Sequence, residues 1–134
     1  MRTIKFRVWV FESDIKEGYM LDIYERFDKD CNSDYYLVYE DFRDLEDGRS
    51  KHCIPLQFTG LHDKNGKEIY EGYIFKSILN SLENELINPK LVYEELRWVL
   101  KDSSKNRNFE YLDYYEADTE LEVIGNIYEN PELL

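Results

Sequence analysis

Residues 56–72 read LQFTGLHDKNGKEIYEG. Asn65-Gly66 supplies positive φ for a tight turn, and Asp63 stands where its side chain can accept hydrogen bonds from the turn backbone. Strand-like residues lie on both sides. Ile54–Thr59 precedes the turn, with Pro55 near its start, where a missing N–H does least harm. Glu68–Tyr70 follows it, and Gly72 predicts a bend or bulge before Tyr73–Lys76. The stretch therefore predicts antiparallel strands joined by a short turn.

The pattern extends in both directions. Ile4, Phe6, Val8 and Val10 alternate with Thr3, Lys5, Arg7, Trp9 and Phe11, a period of two that predicts a strand. Further strands are predicted at Tyr19–Tyr24 and Tyr35–Tyr39. In residues 77–89, Ile78, Leu82 and Leu86 keep an i, i+4 spacing that predicts a short helix ended by Pro89, with a hairpin as the alternative. Leu91–Leu100 reads as one bent strand, Lys101–Asn108 as a loop and Phe109–Leu112 as a short strand. Asp113–Thr119 reads as a turn or a single helical turn. Leu121, Val123 and Ile127 around Gly125 predict a final strand, and Asn130-Pro131 opens a short tail. There is no internal repeat and no low-complexity linker. The fold expected is mainly β, a small strand-rich barrel or sandwich with one or two short helices, as a single domain over 1–134.

Composition narrows the function. The chain has 134 residues, with Lys+Arg 17 and Asp+Glu 29, so the formal charge is 17 − 29 = −12. Binding to a phosphate backbone works through counterion release by Lys and Arg, so nucleic acid ranks below protein as a partner. Anionic membrane surfaces are disfavoured in the same way. A basic protein partner is favoured by long-range attraction. Arg2, Lys5 and Arg7 interrupt any apolar leader at the N-terminus, and no uncharged apolar run reaches membrane-spanning length. Cys31 and Cys53 are too few for a disulfide framework, so a reduced cytoplasm is the default location, with one disulfide left open.

Candidate chemistry is sparse. Asp28, Asp30, Asn32 and Asp34 imitate the first ligands of a calcium loop, but Ser33 stands where the sharp turn needs Gly and Tyr39 where a bidentate Glu is needed. The segment reads as a solvated acidic loop, part of a stretch over residues 28–47 that holds eight carboxylates. Cys31, His52, Cys53 and His62 lack zinc-knuckle spacing, and adjacent His52 and Cys53 point oppositely on a strand. No Gly-x-Ser-x-Gly elbow and no Gly-rich phosphate loop occurs. Twelve Tyr and two Trp favour a binding surface wherever they are exposed. In an extended chain the pairs Tyr35-Tyr36 and Tyr114-Tyr115 place one ring on each face. Arg2, Lys5 and Arg7 with Trp9 sketch a platform for single-stranded nucleic acid, although cross-strand pairing with Asp or Glu is the plainer account of the charges.

Three blocks, MRTIKFRVW at the start, LQFTGLHDKNGKEIYEG at 56–72 and EVIGNIYENPELL at the end, resemble the YopX family, small proteins found mostly in bacteriophages and prophages. Two positions depart from the family pattern: Tyr73 replaces an Asp, and Val10 an acidic residue. The resemblance implies a compact strand-rich barrel, a phage-infected or lysogenic bacterial cytoplasm, and no catalytic residue, cofactor or metal to carry over. Phe6, Trp9, Gly60, Asn65, Gly66, Gly72 and Gly125 are the motif residues, expected to serve the fold. Ile69, Tyr70, Ile74, Val123 and Ile124 join Phe6 and Trp9 as candidate core. The expectation is a non-catalytic interaction protein, with homo-oligomerisation open. A nucleic-acid-binding barrel and an enzyme with an unrecognised site stand as alternatives. A sub-case is an acidic mimic of nucleic acid, suggested by residues 28–47 and 102–134.

Overall fold

The structure is a computed structural model that describes residues 6–22, 52–80 and 83–134. The chain is mainly β, with a single four-residue helix and two short 3-10 turns among the described residues. It divides into two compact units, Met1–Gln57 and Phe58–Leu134.

In the first unit, β1 (Phe6–Phe11) pairs antiparallel with β2 (Tyr19–Asp22) on one side and with the first half of β3 (His52–His62) on the other. With β1 central both its edges are paired, and Val8, Trp9 and Val10 are buried in succession, so both its faces are covered as well. The alternation in the sequence predicted a polar face holding Trp9. Instead Trp9 is 2% exposed, and its Nε1 donates to the Ile15 carbonyl at 2.7 Å. A buried indole satisfied by backbone offers no face to a stacking base, so the sketched platform is lost at its aromatic member. Gly18 makes the close approach possible: a Cβ there would lie 2.7 Å from Trp9 Cε2 and closer still to the Val10 carbonyl.

In the second unit, the latter half of β3 pairs with β4 (Glu68–Tyr70) through the turn predicted at Asn65-Gly66. Only Gly66 takes positive φ (+80°). Gly66 N donates to Asp63 O at 3.0 Å and Asp63 N to Lys67 O at 2.8 Å, a type I turn closed by a glycine bulge rather than a two-residue primed turn. Gly60 (φ +87°) sits where the β3–β4 register breaks. There Thr59 Oγ1 donates to Ile69 O at 2.9 Å, bridging the interrupted ladder.

A five-stranded antiparallel sheet follows, with β5 (Tyr73–Phe75), β8 (Lys90–Glu94), β9 (Arg97–Asp102), β10 (Arg107–Tyr111) and β11 (Val123–Asn126) in the order β10-β9-β8-β5-β11. The hairpin of β6 (Ile78–Asn80) and β7 (Glu85–Ile87) stands beside it in the chain. The i, i+4 spacing there predicted a helix. Instead Ile78 pairs with Ile87 and Leu79 with Leu86; Ile78 is buried and Leu86 exposed, so these two do not share one apolar helical stripe, and Leu82 lies outside the described residues. The stretch predicted as one bent strand over Leu91–Leu100 is two strands folded back at Glu95-Leu96. The predicted loop over Lys101–Asn108 is shorter, since β9 and β10 claim both its ends.

The rest is short. A 3-10 turn (Leu112–Tyr114) leads to α1 (Ala117–Glu120), and another (Pro131–Leu133) closes the described chain. Leu112, Ala117 and Leu121 carry this segment into the core with Ile69, Ile74, Phe75, Leu91 and Leu100. Trp9, Ile69, Tyr70, Ile74 and Val123 are buried as expected, whereas Phe6 and Ile124 are half-buried.

Candidate functional site

The candidate site is built on the β8–β9 hairpin. Its two turn residues, Glu95 (φ +50°) and Leu96 (φ +66°), are both left-handed, the geometry of a type I′ turn. Asn and Gly are the residues suited to such positions, and a side chain with a Cβ is strained there by roughly 1–2 kcal/mol per residue. The turn presents Leu96 at 87% exposure. Below it a cavity of about 260 Å³ is lined by Leu61, Leu96, Arg97, Trp98, Leu112 and Asp113.

Aromatic rings extend the surface. Tyr93 packs edge-on against Trp98 with centroids 4.8 Å apart, a cross-strand pair of the hairpin. The Arg97 guanidinium lies 3.5 Å from the centre of the Tyr111 ring and 3.2 Å from Asp113 Oδ2. That arrangement holds Arg97 across the mouth of the cavity and leaves Tyr93, Tyr111 and Leu61 exposed. Tyr114, 71% exposed, meets Tyr115 edge-on at 5.2 Å. An extended chain would have separated these two rings; the 3-10 turn at Leu112–Tyr114 brings them together.

Carboxylates surround the patch. Lys101 Nζ binds Glu94 at 2.8 Å, and this hydrogen bond, ahead of the Coulombic attraction, holds the Glu94 carboxyl below its usual range. Burial, with Glu110, Tyr114 and Glu120 nearby, pushes the Tyr115 hydroxyl up to about 12. Tyr115 is therefore a neutral donor at physiological pH, not a base.

The residues singled out in the sequence lie elsewhere. Trp9 is core of the first unit, Phe6 begins β1, and Gly60 and Gly66 shape the β3–β4 connection. Asn65 donates its backbone N–H to Asp63 Oδ1 at 2.9 Å. Gly72 takes φ +83° before β5, and the Gly125 position has Asn130 Cγ 2.7 Å from where a Cβ would stand. These positions are dispersed through turns and strands and do not converge on one cavity. Of the four candidate zinc residues, Cys31 and the side chains of His52 and Cys53 lie outside the described residues. His62 is exposed and edge-on to Phe58 at 5.8 Å. The calcium-like loop at Asp28–Asp34, the strand predicted at Tyr35–Tyr39 and the Tyr35-Tyr36 pair also lie outside them, as do Arg2 and Lys5.

Sequence patterns did not point to this patch. Its signal was Glu94-Glu95 with Arg97, three charges that break the apolar run Leu91–Leu100 where the chain reverses.

These features describe a mainly β protein of antiparallel sheets that displays an aromatic cluster on a strained hairpin. The chain belongs to the YopX family, whose profile, described as YopX protein, matches residues 5–134. It is also similar to protein EF1440 from Enterococcus faecalis, known from a crystal structure, with 20% identity over 100% of this chain and 99% of that one and a TM-score of 0.48. Among curated proteins none matches. No helix among the described residues is long and apolar enough to cross a membrane.

Proposed function

We propose that the chain is a non-catalytic interaction module of phage or prophage origin, acting in the bacterial cytoplasm by binding a host or phage protein. The supporting observation is the exposed cluster of Leu61, Tyr93, Leu96 and Tyr111 with Arg97 and Trp98 around an apolar cavity. Tyr, Trp and Arg are the residues that dominate protein interfaces, and a fully exposed leucine above a cavity is suited to anchor a partner's side chain. Glu94, Glu95 and Glu110 border the patch, and with a formal charge of −12 they fit a partner whose apolar contact is flanked by Lys or Arg.

The test places a photo-crosslinking residue at Tyr93 or Tyr114, with a control at Glu129, in the chain expressed in its host. A protein crosslinked from the first two positions, and lost with Leu96→Asp, is expected. Equal capture by Leu96→Asp and the unmodified chain would move the surface elsewhere. Capture of nucleic acid in place of protein would overturn the reading.

A further inference from the structure

A second cavity, of about 370 Å³, lies in the Phe58–Leu134 unit. Asp102, Ser103 and Ser104, at the β9–β10 connection, form one wall, and Leu86, Ile87 and Leu133 contribute apolar walls. Asp102 is 4% exposed. Its Oδ1 accepts from Ser104 N at 3.1 Å and Ser104 Oγ at 2.7 Å. Its Oδ2 is buried with no hydrogen-bond partner among the described residues, and so is the neighbouring Ser103 Oγ. Lys101, next to it in sequence, pairs with Glu94, and Lys105 and Arg107 pair with Glu83, Lys105 also with Glu85.

A buried carboxylate oxygen without a protein donor is destabilising, so beside a cavity it is satisfied by water or by a ligand that donates in its place. Asp102 repels an anion. A single carboxylate is too small a donor set for calcium, which takes six or more oxygens. An organic cation meets both demands, because its N–H groups satisfy Oδ2 and its carbon chain covers Leu86, Ile87 and Leu133. We propose that this cavity binds a primary alkylammonium group, with Asp102 Oδ2 as the charged acceptor and Ser103 Oγ as the second.

Amide shifts of the isotope-labelled full chain, titrated with n-hexylammonium, n-hexanol and hexanoate, test this. Saturable shifts at Ile87, Ser103 and Ser104 are expected with the ammonium, and binding about tenfold weaker with the other two. The Nα-acetyl-lysine methylamide arm separates the sources of the chemistry: tighter binding than hexylammonium assigns a lysine side chain, weaker binding a free amine. Asp102→Asn keeps an oxygen for Ser104 and is expected to lose the ammonium response. Ser103→Ala, which deletes only the second acceptor, is expected to weaken it, and serves if Asp102→Asn does not fold. No saturable shift, equal response to hexanol, or unchanged ammonium binding by a folded Asp102→Asn or Ser103→Ala would overturn the proposal and leave Asp102 as a turn cap alone.

Discussion

The Asp63 carboxylate accepts three backbone N–H bonds, from Asn65 and Lys67 at 2.9 Å within its own turn and from Val123 at 2.8 Å, sixty residues along the chain. It is 2% exposed. Burial is the largest influence on this carboxyl and raises its pKa, yet the three backbone donors with Lys67 outweigh it and the net shift is downward. The consequence for stability has a definite sign. The unfolded chain takes up a proton at Asp63 near pH 4, where the folded chain still resists it. The contribution is therefore fully present above that pH and is lost as pH falls through the lower folded value. Asp63→Ala is expected to cost about 3 kcal/mol at neutral pH in urea unfolding and to flatten the acid limb of stability against pH. Two glycines separate two different requirements. At Gly18 a Cβ collides with Trp9 and the Val10 carbonyl, so Gly18→Ala is expected to cost about 2 kcal/mol or more through overpacking. At Gly66 there is open space around the Cβ position but φ is +80°, so Gly66→Ala is expected to cost only about 1 kcal/mol, from backbone strain alone. Thermal unfolding of both variants checks the order.

The β8–β9 hairpin keeps strain that a different sequence would relieve. Strain held at a surface that displays an exposed leucine fits a functional constraint on the turn. Glu95→Asn with Leu96→Gly supplies the residues a type I′ turn favours and is expected to stabilise the protein by about 1–2 kcal/mol. If the patch is the docking surface, the same double variant loses partner crosslinking while its melting temperature rises, a combination that a purely structural turn would not produce. Elsewhere at this scale much was legible. The strand residues, the Asn65-Gly66 connection, the β4 limits Glu68–Tyr70 and the bend at Gly72 follow from local patterns of alternation and turn chemistry. The Glu95-Leu96 reversal was not legible, because its left-handed residues are ones that local preference disfavours and only pairing of the two strands imposes. The hairpin at Ile78–Ile87 was masked for the reverse reason. Ile78 and Leu86 fall at helical spacing, and that one is buried and the other exposed depends on neighbours far along the chain.

For the molecule as a whole, a formal charge of −12 acts at distances that no single contact sets. Self-repulsion is screened by salt, so the melting temperature is expected to rise between about 10 mM and about 200 mM NaCl, where the Debye length falls from roughly 30 Å to under 10 Å. Association with a basic partner is expected to slow over the same range, and stopped-flow mixing checks that. Composition, two-residue periodicity and turn residues by themselves determined the strand-rich class, the net negative charge and the turns at Asn65-Gly66 and Gly72, because strands and turns depend on a few consecutive residues and charge on composition alone. Tertiary structure alone decided that Trp9 donates to the Ile15 carbonyl, that Tyr114 meets Tyr115, and that Leu61, Leu96, Trp98 and Leu112 share a cavity. Those outcomes depend on which segments pack together, and burial, unlike local conformation, is a property of partners that a linear pattern does not name.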